Sequence, residues 1–184
     1  MGFLRIIDGD SIAGHNLNRQ ILATERNLGM NKALAGVARI AEINSDVCAE
    51  AAPCMLDEKN ALELLSGMDV LVDALDSISS RRLLLGTAQS LGVPLVHAAI
   101  AGFAGQVAVI MPADSVMEKL FHSNSDAEKG IEAELGNPAA TPALAAALEA
   151  QEVIKILTGV GETLRGRLLY FDTEFNLFEM FQLK

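Results

Sequence analysis

The sequence predicts an α/β fold in which a mostly parallel sheet carries helices on both faces and is followed by antiparallel strands and a C-terminal hairpin. Up to residue 101, short apolar segments typical of strands alternate with amphipathic segments typical of helices, which is the pattern of a parallel sheet. After Gly102 the next strand-like segment follows through a short turn, which favours antiparallel pairing. We therefore expect one domain over residues 1–184, with a parallel part at 1–101 and a second part at 102–184.

The elements of the first part are marked by apolar runs and by the residues at their ends. Asn31 is the expected N-cap of the first helix, because an Asn side chain can accept a hydrogen bond from the first turn. The third helix is expected to begin at Ser79 or Ser80 and to end before Gly92. The expected helices span residues 32–40, 57–65 and 79–91, and the expected strands span 4–7, 47–55, 68–73 and 94–101.

The second part is expected to contain further strands and one long helix. Thr141 as N-cap and Pro142 at the first helical position predict a helix over Ala143–Leu157, which Gly159 closes. Because this helix is apolar on nearly every face, we expect it to be buried or to lie in a subunit interface. The expected strands span 106–111, 167–172 and 175–180, and a polar crossover segment spans 112–140 with an amphipathic piece around Val116, Leu120 and Phe121.

The composition excludes several classes of function. A formal net charge of −10 argues against nucleic acid binding, which depends on cationic contacts to phosphates. No apolar run reaches the roughly 18 residues that a membrane span requires, and the first residues lack the pattern of a signal peptide. Cys48 and Cys54 have neither CxxC spacing nor nearby histidines, so we expect no zinc site and reduced thiols in a cytoplasmic protein.

A polar segment follows the first expected strand. Asp8 and Asp10 come directly after it, at the place where open α/β sheets hold their ligands. The next loop carries the polar side chains of Asn16, Arg19 and Gln20 and few apolar residues between them. These side chains suit a polyphosphate, a ribose and a metal ion, whereas the alternative for an isolated Asp-x-Asp pattern is a solvated, capped turn.

Another acid, Asp76, follows the strand at 68–73. Arg81 lies on the next helix, and we expect it to anchor that helix to the strand-end loop rather than to contact a nucleotide. The three histidines, His15, His97 and His122, have no recognisable catalytic setting.

Six fragments occur in the order and spacing of one family. They are Asp8-Gly9-Asp10, Asn16-Leu17-Asn18-Arg19-Gln20, Gly29-Met30-Asn31-Lys32, Asp73-Ala74-Leu75-Asp76 with Arg81, Gly102-Phe103-Ala104-Gly105-Gln106, and Gln151-Glu152-Val153-Ile154-Lys155 through Gly159. With them the chain resembles the ThiF, MoeB and HesA group, bacterial relatives of the ubiquitin-activating enzymes. The resemblance implies a Rossmann-like adenylating domain that uses ATP and Mg²⁺. Its expected partner is a ubiquitin-like sulfur carrier ending in Gly-Gly, whose terminal carboxylate becomes an acyl adenylate in thiamin, molybdopterin or related sulfur metabolism.

The resemblance also assigns roles to individual residues, with Arg19, Lys32 and Asp76 as the catalytic set. The expected contacts are Asp8 to the ribose, Asn16, Arg19 and Lys32 to the phosphates, and Asp76 to magnesium, while Asp10 shapes the pocket and Gln20 supports its loop. Attack of a carboxylate on the α-phosphate brings anions together, so the enzyme must supply charge neutralisation and alignment. No general base is required, because a carboxylate is already ionised at neutral pH. The resemblance further implies a homodimer.

The sequence departs from the family at three points. The chain starts at what would be the second strand, without the Gly-rich GxGGxG turn that receives phosphates on backbone amides. It lacks the paired CxxC motifs of zinc-binding members, and it has no cysteine between Met111 and Thr141, where some members carry a thiol nucleophile. We therefore expect either a fragment of a longer active enzyme or a shortened relative.

Two other functions stay open alongside adenylation. A catalytically incomplete, dimeric carrier-binding relative would explain the missing Gly-rich turn. An NAD-dependent oxidoreductase is suggested only by the alternating α/β order and a strand-end acid, and it leaves the Asn16–Gln20 segment unexplained.

Overall fold

The computed structural model describes residues 2–114 and 136–183, and the chain divides into two compact units, Met1–Asn60 and Ala61–Lys184. The expected crossover piece around Val116, Leu120 and Phe121 falls outside the described residues. The predicted subdivision at residue 101 stays a prediction. Within the described ranges, no helix has the length and apolarity needed to cross a membrane.

The first unit contains a pair of parallel strands, one α-helix and two short 3-10 helices at Gly14–Asn16 and Glu25–Asn27. Strand β1 is Phe3–Ile7, helix α1 is Lys32–Ile43 and strand β2 is Cys48–Ala52. The two strands are in register from Phe3 opposite Cys48 to Ile7 opposite Ala52, and α1 packs on both. Gly36 permits that close packing, because a Cβ there would lie 2.6 Å from Cδ1 of Ile6. Pro53 follows the last residue of β2, as expected for a strand end.

The second unit is built on a five-stranded sheet in the order β3-β4-β5-β6-β7. Its elements are α2 (Ala61–Leu65), β3 (Leu71–Asp73), α3 (Ile78–Leu91), β4 (Leu95–Ala101), β5 (Ala104–Ile110), α4 (Ala140–Thr158), β6 (Arg167–Asp172) and β7 (Leu177–Gln182). Strands β3 and β4 are parallel, whereas every later neighbouring pair is antiparallel. The expected α/β class is confirmed, as are the change to antiparallel pairing after Gly102 and the C-terminal hairpin.

The core of the second unit lies between this sheet and α4. Helix α4 packs on β4 and β5. The buried cluster comprises Val96, Ala98, Val107, Val109, Ala145, Val153, Leu164 and Phe171. Gly105 of β5 stands opposite Phe171 of β6, whose fully buried ring occupies the space that a side chain at Gly105 would need. The sheet therefore depends on a small residue at this position.

Helices α3 and α4 begin earlier than their sequence signals predict. The N-cap of α3 is Ser77, whose side chain accepts a hydrogen bond from Ser80 N, so the expected start at Ser79 or Ser80 is wrong by one or two residues. Helix α4 begins at Ala140, and Thr141 is a fully buried residue inside it and not its N-cap. Pro142 is compatible with this earlier start, because the first four N–H groups of any helix lack intrahelical partners.

Burial of α4 is confined to one face, so the first of the two expected alternatives, a buried helix, holds only for that face. Thr141, Ala145 and Glu149, spaced by four residues, are buried, whereas Ile154 and Leu157 are 45% and 42% exposed. The edge strand β7 is exposed along its whole length. The proposed subunit interface stays a prediction.

Candidate functional site

The carboxyl end of β1 carries the first pair of acids. Asp8 N donates to Ala52 O at 3.2 Å, which extends the pairing with β2 by one residue. Oδ1 of Asp8 accepts a hydrogen bond from Asp10 N at 2.8 Å and thereby closes a tight turn. Gly9 lies in this turn, where a Cβ would come within 2.7 Å of Met55 N. Both carboxylates lie at the end of the strand, as predicted, with Asp8 half-buried and Asp10 exposed.

The N-terminus of α1 is bonded to the same turn. Lys32 Nζ lies 2.7 Å from Asp10 Oδ2, and Lys32 N donates to Asp10 O at 2.9 Å. Asn31 accepts a hydrogen bond from Leu34 N, which confirms the predicted N-cap, and its Nδ2 donates to the carbonyls of Asp8 and Asp10 at 2.8 and 3.1 Å. An ammonium group has three donors, so Lys32 keeps donors for an anionic ligand while it is paired with Asp10.

The Asn16–Gln20 loop is organised by Asn16, which is only 3% exposed. Its Oδ1 accepts a hydrogen bond from Ala13 N at 2.9 Å, and its carbonyl accepts hydrogen bonds from Arg19 N and Gln20 N at 3.1 and 2.9 Å. Asn16 therefore shapes the loop from inside. The half-buried side chain of Gln20 lies next to Arg19 in the chain.

Arg19 is held by one edge of its guanidinium. Nη1 donates to His15 O at 2.9 Å and to Asn18 Oδ1 at 3.0 Å. Among the described residues no acceptor is bonded to Nε or Nη2, and this edge has the fork geometry that binds phosphate oxygens in pairs. The predicted residues of the first unit thus form two bonded groups, Asp8 with Asp10 and Lys32, and Asn16 with Arg19 and Gln20.

Asp76 belongs to the second unit and follows β3 through a short loop. Its carboxylate is exposed and makes no hydrogen bond or ion pair with the residues that the structure describes. Hard cations prefer oxygen ligands, and Mg²⁺ is commonly held by one or two carboxylates together with substrate phosphates. An accessible, uncommitted carboxylate fits that requirement. Residues 2–114 and 136–183 contain no group of three or more His, Cys, Asp or Glu side chains that is able to hold a metal ion alone.

A buried polar cluster lies beside the Asp76 loop, and the sequence signals did not identify it. His97 Nδ1 and Asp73 Oδ2 are 2.6 Å apart, and both side chains are 1% exposed. Arg81 Nε lies 3.7 Å from the same oxygen of Asp73. Arg81 also donates to Leu75 O from Nε and Nη2, which confirms that it anchors α3 to the strand-end loop.

Glu149 is the member of this cluster contributed by α4. Burial raises the pKa of its carboxyl group to about 8, with a further upward contribution from Asp73 that the charge of Arg81 partly offsets. The raised pKa therefore favours the protonated carboxyl group at neutral pH. The sequence did not single out Glu149, because α4 also carries Glu152 and Lys155, and the charged neighbours that act on Glu149 come from β3 and α3.

Comparison with known proteins gives the family. A profile described as the ThiF family matches residues 1–184. The chain is 33% identical over 180 residues to the SAMP-activating enzyme E1 of Haloferax volcanii, covering 97% of this chain and 67% of that protein. It is 34% identical over 189 residues to the sulfur carrier protein adenylyltransferase of Thermus thermophilus, covering 94% of this chain and 66% of that protein.

Solved structures show the same fold. A crystal structure of PaaA covers all of this chain with a TM-score of 0.79 at 18% identity, and the match takes up 57% of PaaA. A crystal structure of E. coli MccB with ATP covers 99% of this chain and 56% of MccB, with a TM-score of 0.76 at 18% identity. The chain thus spans little more than half of each solved protein and about two thirds of the two relatives named above. The match over its full length and the relative at 33% identity establish that this chain belongs to the ThiF family.

Proposed function

We propose that this chain is the adenylating part of an enzyme that transfers AMP from ATP to the C-terminal glycine of a ubiquitin-like sulfur carrier. The observation that carries the proposal is the bonded group at the end of β1, where Lys32 at the N-terminus of α1 is paired with Asp10 and Asp8 closes the turn. Its support from outside the chain is the adenylyltransferase of Thermus thermophilus, which is similar over 94% of this sequence.

The side chains of the first unit supply the groups that a nucleotide requires. Asp8 accepts hydrogen bonds from the ribose hydroxyls, and Asn16 and Gln20 hold the loop that presents Arg19. The open edge of the Arg19 guanidinium and the remaining donors of Lys32 bind phosphate oxygens. Asp10 keeps the Lys32 ammonium in place before the phosphates arrive, because the two groups are 2.7 Å apart.

Asp76 supplies an oxygen ligand for Mg²⁺, which when bound neutralises phosphate charge. The carrier's terminal carboxylate attacks the α-phosphorus of ATP, a C–O–P bond forms, and the bond to pyrophosphate breaks with its electron pair leaving on pyrophosphate. No proton is transferred in this step, so the main contribution of the chain to catalysis is a set of positively charged, correctly placed donors.

We include a homodimer and a cytoplasmic location in the proposal. Exposed apolar residues on α4, Ile154 and Leu157, and on β7, Phe178 and Phe181, favour association with a second copy. Cys48 and Cys54 are both free thiols, as a reducing compartment would keep them. Light scattering after size-exclusion chromatography tests the dimer, and a monomer at micromolar concentration would contradict it.

Exchange of pyrophosphate into ATP, measured with the full-length protein and a carrier ending in Gly-Gly, tests the activity. We expect exchange that requires the carrier and is lost with a carrier lacking its final glycine. Lys32→Ala should lower the exchange rate at least about a hundredfold, because it removes a donor to charge that develops in the transition state. Lys59→Ala, which removes an exposed lysine from the same unit, is the matched control and should leave the rate unchanged.

The carrier-binding alternative makes the opposite prediction. A protein that binds the carrier without activating it would bind equally well with and without ATP and would catalyse no exchange. Carrier affinity measured by calorimetry with and without a non-hydrolysable ATP analogue separates the two functions, because an adenylating enzyme binds both substrates at one reaction centre.

A further inference from the structure

Side chains hold both polar backbone groups of Leu75, the residue before Asp76. Leu75 N donates to Asp73 Oδ1 at 3.0 Å. Leu75 O accepts two hydrogen bonds from Arg81, from Nε at 3.0 Å and from Nη2 at 2.6 Å. Because the peptide bond is planar, fixing the carbonyl of Leu75 also fixes the direction of the N–H and Cα of Asp76.

The two side chains that hold Leu75 are themselves fixed by burial and pairing. The Asp73 side chain is 1% exposed and that of Arg81 is 18% exposed, and they form an ion pair with 3.7 Å between Nε and Oδ2. His97 holds the same carboxylate at 2.6 Å from its own buried position on β4. Charged groups that are paired away from water keep a narrow geometry, because each would lose much by separation.

Glu149 strengthens this arrangement by being neutral. Its carboxyl group comes from α4 close enough to Asp73 and Arg81 for their charges to act on it. A carboxylate at this place would compete with Asp73 for the guanidinium. Burial raises the pKa of Glu149 to about 8, which favours the protonated form at neutral pH, and this form does not compete for the guanidinium.

Asp76 contrasts with the residues around it. Its side chain is exposed and has no bonded partner among the described residues, so its position is set by its backbone alone. A metal-binding carboxylate without a side-chain partner depends on a rigid support to reach the geometry that the metal demands.

We propose that Arg81 is a positioning residue, which together with Asp73 clamps the peptide between Leu75 and Asp76 and so places the Asp76 carboxylate for a divalent cation. This inference rests on the proposed function, in which Asp76 is the magnesium ligand. Arg81 acts through Asp76 and does not itself contact the nucleotide or the metal.

The Mg²⁺ requirement of pyrophosphate exchange tests the clamp. In the full-length protein, Arg81→Ala should raise the Mg²⁺ concentration for half-maximal exchange between about tenfold and a hundredfold, the usual cost of losing a residue that supports a metal ligand. Arg81→Lys keeps the positive charge but loses the planar fork of guanidinium donors, so it should show a smaller shift in the same direction. If Arg81→Ala does not fold, the comparison is made with Arg81→Lys. Arg39→Ala removes the same charge from an exposed position of α1, where Arg39 pairs only with Glu42 among the described contacts, and should leave the Mg²⁺ requirement unchanged. An unchanged requirement in both Arg81 variants, or an equal shift in Arg39→Ala, would overturn the clamp.

Hydrogen exchange of the backbone separates failure of the clamp from failure of the proposed function. Mass spectrometry of the peptide covering 74–80 should show faster amide exchange in the Arg81 variants than in the unaltered protein or in Arg39→Ala. Equal exchange in all four proteins would refute the clamp even if the unaltered protein is active. No pyrophosphate exchange by the unaltered protein would refute adenylation, and amide exchange would then still decide whether Arg81 holds this peptide.

Discussion

Glu149 illustrates how the environment of one residue reverses its ordinary behaviour. It is 7% exposed, and its Oε1 has no hydrogen-bond partner among the described residues. Burial and the negative charge of Asp73 raise the pKa of its carboxyl group from 4.5 to about 8, against the opposing charge of Arg81. Ionising this group costs free energy because the buried carboxylate loses its hydration without gaining a partner.

The pH dependence of stability follows from that shift. Because the folded-state pKa lies above the unfolded-state value, the contribution of Glu149 to stability is fully present below pH 4.5 and is lost as the pH rises through about 8. The free energy of unfolding should fall in this window by at most about 1.4 kcal/mol per pH unit from this group. Glu149→Gln keeps the shape of a neutral carboxyl group and should remove this slope.

Urea unfolding between pH 6 and about 9 measures the effect. Glu149→Gln should be more stable than the unaltered protein above the raised pKa, with the difference shrinking as the pH falls. Glu63→Gln changes an exposed acid of the same unit and should leave the pH profile as it is. Parallel profiles for Glu149→Gln and the unaltered protein would show that Glu149 titrates normally.

At the scale of elements, the sequence predicted best where a local interaction sets the boundary. Asn31 caps α1 as expected, since its side chain accepts from Leu34 N within one turn. The predicted start of α4 was wrong. Threonine is a common N-cap residue, but Thr141 lies buried on the face of the helix that packs on the sheet. In that case tertiary packing outweighs the local preference, and a sequence pattern contains no record of that packing.

We expect Asn31 to stabilise the fold in two ways, by capping α1 and by hydrogen bonding to the turn after β1. Asn31→Ala removes the cap and two hydrogen bonds to the carbonyls of Asp8 and Asp10, and should lower the free energy of unfolding by about 2 kcal/mol. Asn31→Asp retains the capping oxygen but replaces the donor with an oxygen that faces those carbonyls. It should therefore also destabilise, by roughly 1–2 kcal/mol.

Denaturant unfolding of both Asn31 variants, followed by the circular dichroism of the helices, checks this prediction. If Asn31 contributed only as a helix cap, Asn31→Asp would be as stable as the unaltered protein, because Asp caps helices as well as Asn. That result would show that the bonds to Asp8 and Asp10 contribute nothing to stability.

At the scale of the whole molecule, the order of the motifs along the chain predicted more than any one of them. An isolated Asp-x-Asp pattern could equally have been a solvated turn. Its order in the chain relative to Lys32 and Asp76 matched one family, and the match of the ThiF family to residues 1–184 confirms that family. The pairing of Lys32 with Asp10 and the Asp73, His97 and Arg81 cluster were not predictable in this way. They depend on side chains brought together by strand pairing and helix packing, which residue order does not specify.

Intact mass spectrometry of the carrier, after incubation with the full-length protein, ATP and Mg²⁺, tests the central claim most directly. The account predicts a carrier heavier by one adenylyl group, formed only when ATP is present and the carrier ends in Gly-Gly, and depleted when Asp76→Asn replaces the unaltered protein. Pyrophosphatase should increase the yield by removing the other product. A carrier that binds the protein but keeps its original mass under these conditions would contradict adenylation.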